Sequence, residues 1–213
     1  MRVFLIRHGR QSDARCNVDV DLAVEGRRQA ELAAQRMEQW GIDTLYSSDL
    51  IRARQTAEIM NRWLRVPHHI VPKLRELDFG DMEGLTDLEI GERFASFQER
   101  QAPMDLDLTY PGGESVSNLV ERVVPALRSI VDQASGDIAI ATHGVVIRGV
   151  VSYVTHAPLA RWRLLATSLE NGSITELRWH HATEQFSLER LNDHAHLEGH
   201  PELMRSAWGV REN

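Results

Sequence analysis

The chain has 213 residues, enough for one large domain with a substantial core. Hydrophobic residues make up 42% and charged residues 26%, which is ordinary for a soluble globular protein. The net charge of -7 argues against nucleic acid or an anionic membrane as a partner, while leaving room for a local basic pocket.

The apolar run Val3 to Ile6 reads as a central strand. A helix is predicted over Ala23 to Trp40, with Leu22, Ala30, Ala33, Ala34, Met37 and Trp40 at helical spacing and Gly41 ending it. Thr44 to Ser47 reads as a strand. Asp49 is expected to cap a helix that runs to about Leu64, before Pro67. His69 to Val71 is a short strand, and Thr86 to Glu99 is predicted helical. Pro103, Pro111 and two glycines make Ala102 to Gly113 a loop. Ser115 to Ala134 is an amphipathic helix with Val116, Leu119, Val123, Leu127, Ile130 and Val131 as its stripe. Asp137 to Thr142 is a second apolar strand, followed by a helix over Val145 to Val154. Ile174 to Trp179 and Phe186 to Leu191 form an expected antiparallel pair, and the last twenty residues are polar and weakly periodic.

This alternation predicts a three-layer α/β/α sandwich with a mostly parallel central sheet and an antiparallel edge. A single domain over residues 1–213 is expected, with an inserted segment near 86–113 that covers a pocket. Cys16 is the only cysteine, which fits a reducing compartment. The N-terminus lacks the pattern of a signal peptide, and no apolar run reaches the ~20 residues that span a bilayer. A cytoplasmic location is therefore expected. Asn171-Gly172-Ser173 has the form of a glycosylation acceptor, but without a secretory route it reads as a turn.

Two apolar strands end alike, LIRHG at His8-Gly9 and IATHG at His143-Gly144. In open α/β sheets, ligands bind beyond the carboxyl ends of strands. If the two strands are neighbours, both histidines face one pocket. Arg7 and Arg52 would add guanidinium forks that match phosphate oxygens. Histidine is also a competent nucleophile, and a phosphohistidine splits one hard displacement into two easier ones. A lone histidine would read as an ordinary satisfied strand-end residue; two such ends with nearby arginines do not.

Six motifs then arrive in order: LIRHG, DLAVEGRRQA, YSSDLIRARQTAE, LRELDFGDMEG, PGGES and ATHG. In this set the chain resembles the histidine phosphatase superfamily, which includes the cofactor-dependent phosphoglycerate mutases. The resemblance runs from Arg2 to about Gly199 and implies a phosphoglycerate mutase-like fold. It implies that His8 is the nucleophile, with its other ring nitrogen held by a backbone hydrogen bond. Arg7, Arg52 and His143 would hold the phosphoryl oxygens, with Gly144 beside them, and Glu76 would be the general acid and base. No metal and no cofactor are implied. Glu83 and Glu114 are expected to order the pocket walls.

The match departs from the family after His8, where many relatives read R-H-G-E-[ST]-x-x-N and this chain reads RHGRQSDARCN. Gln11 stands at the hydroxyl position and could donate its amide to phosphate. Ser12 or Asn17 could compensate through a shifted loop. Met82 replaces a usual Trp, which would soften one pocket wall. The histidines of HAHLEGH, from His194 to His200, tempt a metal reading but are taken as a surface tail that could cap the domain.

The LRELDFGDMEG segment resembles the phosphatase branch rather than the mutases' L-N-E-R-x-Y-G-x-L-Q-G. The reading is a metal-independent phosphomonoesterase for a small phosphorylated metabolite, with α-ribazole phosphate and sugar phosphates as candidates. The alternatives are a phosphoglycerate mutase-type phosphotransferase and a non-catalytic phospho-ligand-binding module. The expected partner is the small substrate, without nucleic acid or membrane, and a homodimer would be unsurprising.

Overall fold

The structure is a computed structural model and describes residues 1–208. Strands β1 (Arg2–Arg7), β2 (Ile42–Ser47), β3 (His68–Ile70), β4 (Asp137–Thr142), β5 (Ile174–His180) and β6 (Gln185–Asp193) form one sheet. Its order is β3-β2-β4-β1-β5-β6. From β3 to β1 the strands are parallel, and β5 and β6 add an antiparallel edge. The connections carry helices α1 (Val24–Met37), α2 (Ile51–Leu64), α3 (Asp87–Arg93), α4 (Ala95–Gln101), α5 (Val116–Gln133) and α6 (Gly144–Val154). Among the described residues, no helix is long and apolar enough to cross a membrane.

The layers follow from the two-residue period of strands. Phe4 and Ile6 of β1 meet Ala34 and Met37 of α1, and Ala57 and Met60 of α2. Val3 and Leu5 face the other way, toward Leu119 and Val123 of α5 and Val146 and Val150 of α6. In β4, Ala139 and Ala141 join the first group, and Ile138 and Ile140 the second. All six stripe residues of α5 are buried. Each large one contributes about 1.5–3 kcal/mol by leaving water.

Two local expectations are corrected. The helix over Thr86 to Glu99 is broken at Phe94 into α3 and α4. Thr86 and Glu89 start α3 with a capping box, yet α3 buries nothing; the turn at Phe94 lets α4 bury Phe97. Asp49 does not cap α2. Leu50 holds that position without a side-chain bond, and Asp49 accepts two hydrogen bonds from Arg75 at 2.6 and 2.7 Å. The tail packs on the domain as a cap, with Leu197 and Leu203 buried against Leu32 of α1.

Candidate active site

Strands β1 and β4 are parallel neighbours, with Arg7 beside Thr142. The next residues, His8 and His143, therefore leave the sheet together, and their ring centres lie 5.2 Å apart. Both are buried. His8 Nδ1 lies 2.8 Å from the Gly9 carbonyl, which can only accept. The proton thus sits on Nδ1, and Nε2 keeps its lone pair. Asn171 Nδ2 donates to the His8 carbonyl at 2.9 Å. The Ser48 hydroxyl lies 2.7 Å from His143 Nε2.

Burial first, then Arg52 and Arg7, pushes the His8 pKa well below the ordinary 6.5. Burial first, then Arg52 and His8, does the same to His143. Both rings are neutral at neutral pH. Arg7 donates Nη1 to the Leu169 carbonyl. Arg52, in the first turn of α2, donates Nη1 to the Val18 carbonyl at 3.0 Å and Nη2 to Asn17 Oδ1 at 2.6 Å. Among the described residues, Arg7 Nε, Arg52 Nε and His143 Nδ1 are buried without hydrogen-bond partners. Burial, then Arg205 and Arg148, lowers the Arg7 pKa to about 9.

Glu76 reaches the start of α6. Its carboxylate accepts from the N–H of Val145 at 3.2 Å, of Val146 at 3.3 Å and of Leu77 at 2.9 Å. Arg75 is occupied by Asp49, so Glu76 is not its ion-pair partner. Arg122 fixes this segment. It bonds Glu114 at 2.8 and 2.9 Å and donates to the carbonyls of Lys73, Arg75 and Glu76.

A cavity of about 650 Å³ opens over these groups, lined by Arg7, His8, Arg52 and Glu76. Gln11, Ser12, Cys16 and Asn17 form part of its wall. His143 and Gly144 are buried beside it; a methyl on Gly144 would sit 3.4 Å from Arg7 Nε. The structure thus brings His8, Arg7, Arg52, His143, Gly144 and Glu76 together.

Gln11 lines the cavity, with its amide held within its own loop. Gln11 Nε2 donates to the carbonyls of Asp13 at 2.7 Å and Arg15 at 3.4 Å, so its donors close its own loop. Ser12 lines the cavity with its backbone N–H held by the Asp21 carbonyl at 2.9 Å. Asn17, at φ 48°, faces Arg52 and donates to Glu83 Oε1 at 2.5 Å. Met82 is not a wall of this cavity. It is buried and lines a smaller neighbouring one of about 240 Å³ with Phe97 and Tyr110. Burial, then Glu83 and Asp87, raises the Cys16 pKa to about 11, so it is a thiol rather than a competing thiolate.

Sequence reasoning missed Ser48, Asn171, Arg205 and Trp208. Asn171 was legible only as a turn residue, and nothing periodic marked Arg205 or Trp208. Among the described residues, no three His, Cys, Asp or Glu side chains group as a metal site. In the tail, His194 and His196 bond the carbonyls of Asn192 and Gly172 instead.

Fold and site define a class: an α/β protein with paired histidines and arginines at the carboxyl ends of adjacent parallel strands. The chain matches the sequence profile of the histidine phosphatase superfamily (branch 1) over residues 3–194, and it belongs to that family. It is 31% identical to phosphoglycerate mutase-like protein 4 of Arabidopsis thaliana, over 92% of this chain and 86% of that one. It is 28% identical to the uncharacterized phosphatase PhoE of Bacillus subtilis (strain 168), over 92% and 97%. A mycobacterial glucosyl-3-phosphoglycerate phosphatase solved with inorganic phosphate superimposes with a TM-score of 0.80 at 27% identity, over 92% of this chain and 98% of that one.

Proposed function

We propose that the chain is a metal-independent phosphomonoesterase that works through a phosphohistidine at His8 on a small phosphorylated metabolite. The observation that carries this reading is the set of buried donors around a neutral His8. Arg7 Nε, Arg52 Nε and His143 Nδ1 lack partners among the described residues. A buried donor left unpaired costs about 1–3 kcal/mol, and a phosphoryl group offers oxygens to both guanidinium N–H groups, and to His143 Nδ1 in the tautomer in which the Ser48 hydroxyl donates to Nε2.

In the first half-reaction, His8 Nε2 attacks phosphorus and the P–O bond to the alcohol breaks. The electron pair leaves with the alkoxide, and Glu76 supplies its proton. In the second, water attacks phosphorus, the P–N bond breaks and its electron pair returns to Nε2. Glu76 takes the proton of the attacking water. The fixed guanidiniums offset the charge gathered on the equatorial oxygens. Replacing water by a substrate hydroxyl would turn the same cycle into a mutase; the LRELDFGDMEG segment favours water.

The test is hydrolysis of p-nitrophenyl phosphate in EDTA, with wild type beside His8→Ala. The variant should lose about a thousandfold or more in kcat, the scale seen when a covalent nucleophile is removed. Equal rates for the two proteins would contradict the reading. A panel with α-ribazole phosphate, sugar phosphates and 3-phosphoglycerate then ranks substrates.

A further inference from the structure

The cavity presents arginines beyond the two that flank His8, alongside the carboxylates of Asp13, Glu25 and Asp87. Arg7 and Arg52 are tethered beside His8, while Arg10 and Arg205 also line the cavity. Arg10 follows the β1 strand end, and Arg205 comes from a short turn (Arg205–Ala207) near the C-terminus. Their guanidinium carbons lie 4.4 and 5.7 Å from the ring centre of Trp208, so one indole gathers both cations at the rim. Among the described residues, the ion-pair partner of Arg10 is Glu25, at 3.3 Å. Arg205 is exposed, and among the described residues its guanidinium meets Asn171 Oδ1 at 3.4 Å and no carboxylate. Asn171 in turn holds the His8 carbonyl.

The two arginine-bearing segments are fixed to each other by one buried side chain. Gln29 accepts from the Arg10 N–H at 2.8 Å and donates to the Leu203 carbonyl at 2.7 Å. Glu170 accepts the Arg205 N–H at 2.8 Å. The cations are therefore positioned by the fold.

We infer that Arg205 and Arg10 form a second anion subsite, and that the substrate is a phosphomonoester whose alcohol portion carries another anionic group. This rests on the phosphomonoesterase reading. Arg7 and Arg52 take the transferring phosphoryl group, and Arg205 and Arg10 grip the far end of the alcohol.

The test compares 3-phosphoglycerate with glycerol 3-phosphate, which carry a carboxylate and a neutral alcohol at the same place. Wild type should prefer the carboxylated ester in kcat/KM by about tenfold or more, the worth of one charge-assisted hydrogen bond. Arg205→Met should erase most of that ratio, and Arg205→Lys should keep part of it. A wild-type ratio near one, or a ratio unchanged in Arg205→Met, would overturn the subsite. An equal loss on both esters would also overturn it, placing Arg205 on the transferring phosphoryl group. Calorimetric binding of both esters to His8→Ala, with and without Arg205→Met, reads the same ratio as Kd. Absence of turnover then counts against the phosphatase reading alone, and equal Kd values count against the subsite.

Discussion

A histidine kept neutral at a strand end affects stability as well as reactivity. His8 and His143 are buried, and burial is the main cause holding each pKa well below 6.5. In the unfolded chain both would titrate near that ordinary value. As pH falls through it, the unfolded chain gains protons that the folded chain refuses, so stability falls. The slope approaches about 1.4 kcal/mol per pH unit for each such group. His196, lowered to about 4 by burial and then Arg36, adds in the same direction. A thermal scan from about pH 7.5 to about 5 should therefore show Tm dropping once pH passes 6.5. The lowered carboxyls of Asp13, Asp49, Asp193 and Glu114 cannot supply this trend, because their ordinary values are 3.8 and 4.5. A flat Tm across the window would contradict the buried neutral histidines. At this scale the pair was legible, since a buried strand ending in an imidazole is anomalous twice over. Asn17 was legible only as a residue that a shifted loop could bring to the site; its contact with Arg52 depends on a left-handed backbone that sequence does not display.

At the scale of elements, the site depends on how closely α1 approaches the β1 loop. A methyl on Gly9 would lie 2.2 Å from the Gly26 carbonyl oxygen, and one on Gly26 would lie 2.1 Å from that of Arg10. Backbone meets backbone, so neither contact can relax by rotating a side chain. Gly26→Ala should cost about 1–3 kcal/mol in urea denaturation, the range for overpacking. It should also lower kcat/KM by moving the Arg10 loop. Gly91→Ala in α3 is the control, since nothing lies within 4 Å of its added methyl. It should be neutral or stabilise by about 0.5–1 kcal/mol, because alanine holds a helix better than glycine. Equal destabilisation of the two variants would refute the contact. Elements whose own residues carry a period were readable, as in α5 and β4. The break at Phe94 was not, because it answers to Phe97 finding the core. The tail was readable as a cap but its partner was not, because Leu197 and Leu203 pack on Leu32, far away in sequence.

Across the whole molecule, the sheet collects distant segments at the carboxyl ends of its central strands. The β1 and β4 ends bring the histidines, α2 brings Arg52, the α6 terminus anchors Glu76 and the C-terminal turn brings Arg205. Few of these residues are near one another in sequence, which is why only ordered motifs, and no single one, pointed to the site. The account stands on covalent transfer to His8. The most direct test mixes enzyme with an excess of aryl phosphate, quenches in alkali within milliseconds and weighs the intact and digested protein. The account predicts one phosphoryl group on the peptide that carries His8, lost on acid treatment as a phosphoramidate is, and absent from His8→Ala. A phosphoryl group on another residue, or turnover with no trapped species alongside a linear, burst-free time course, would contradict it.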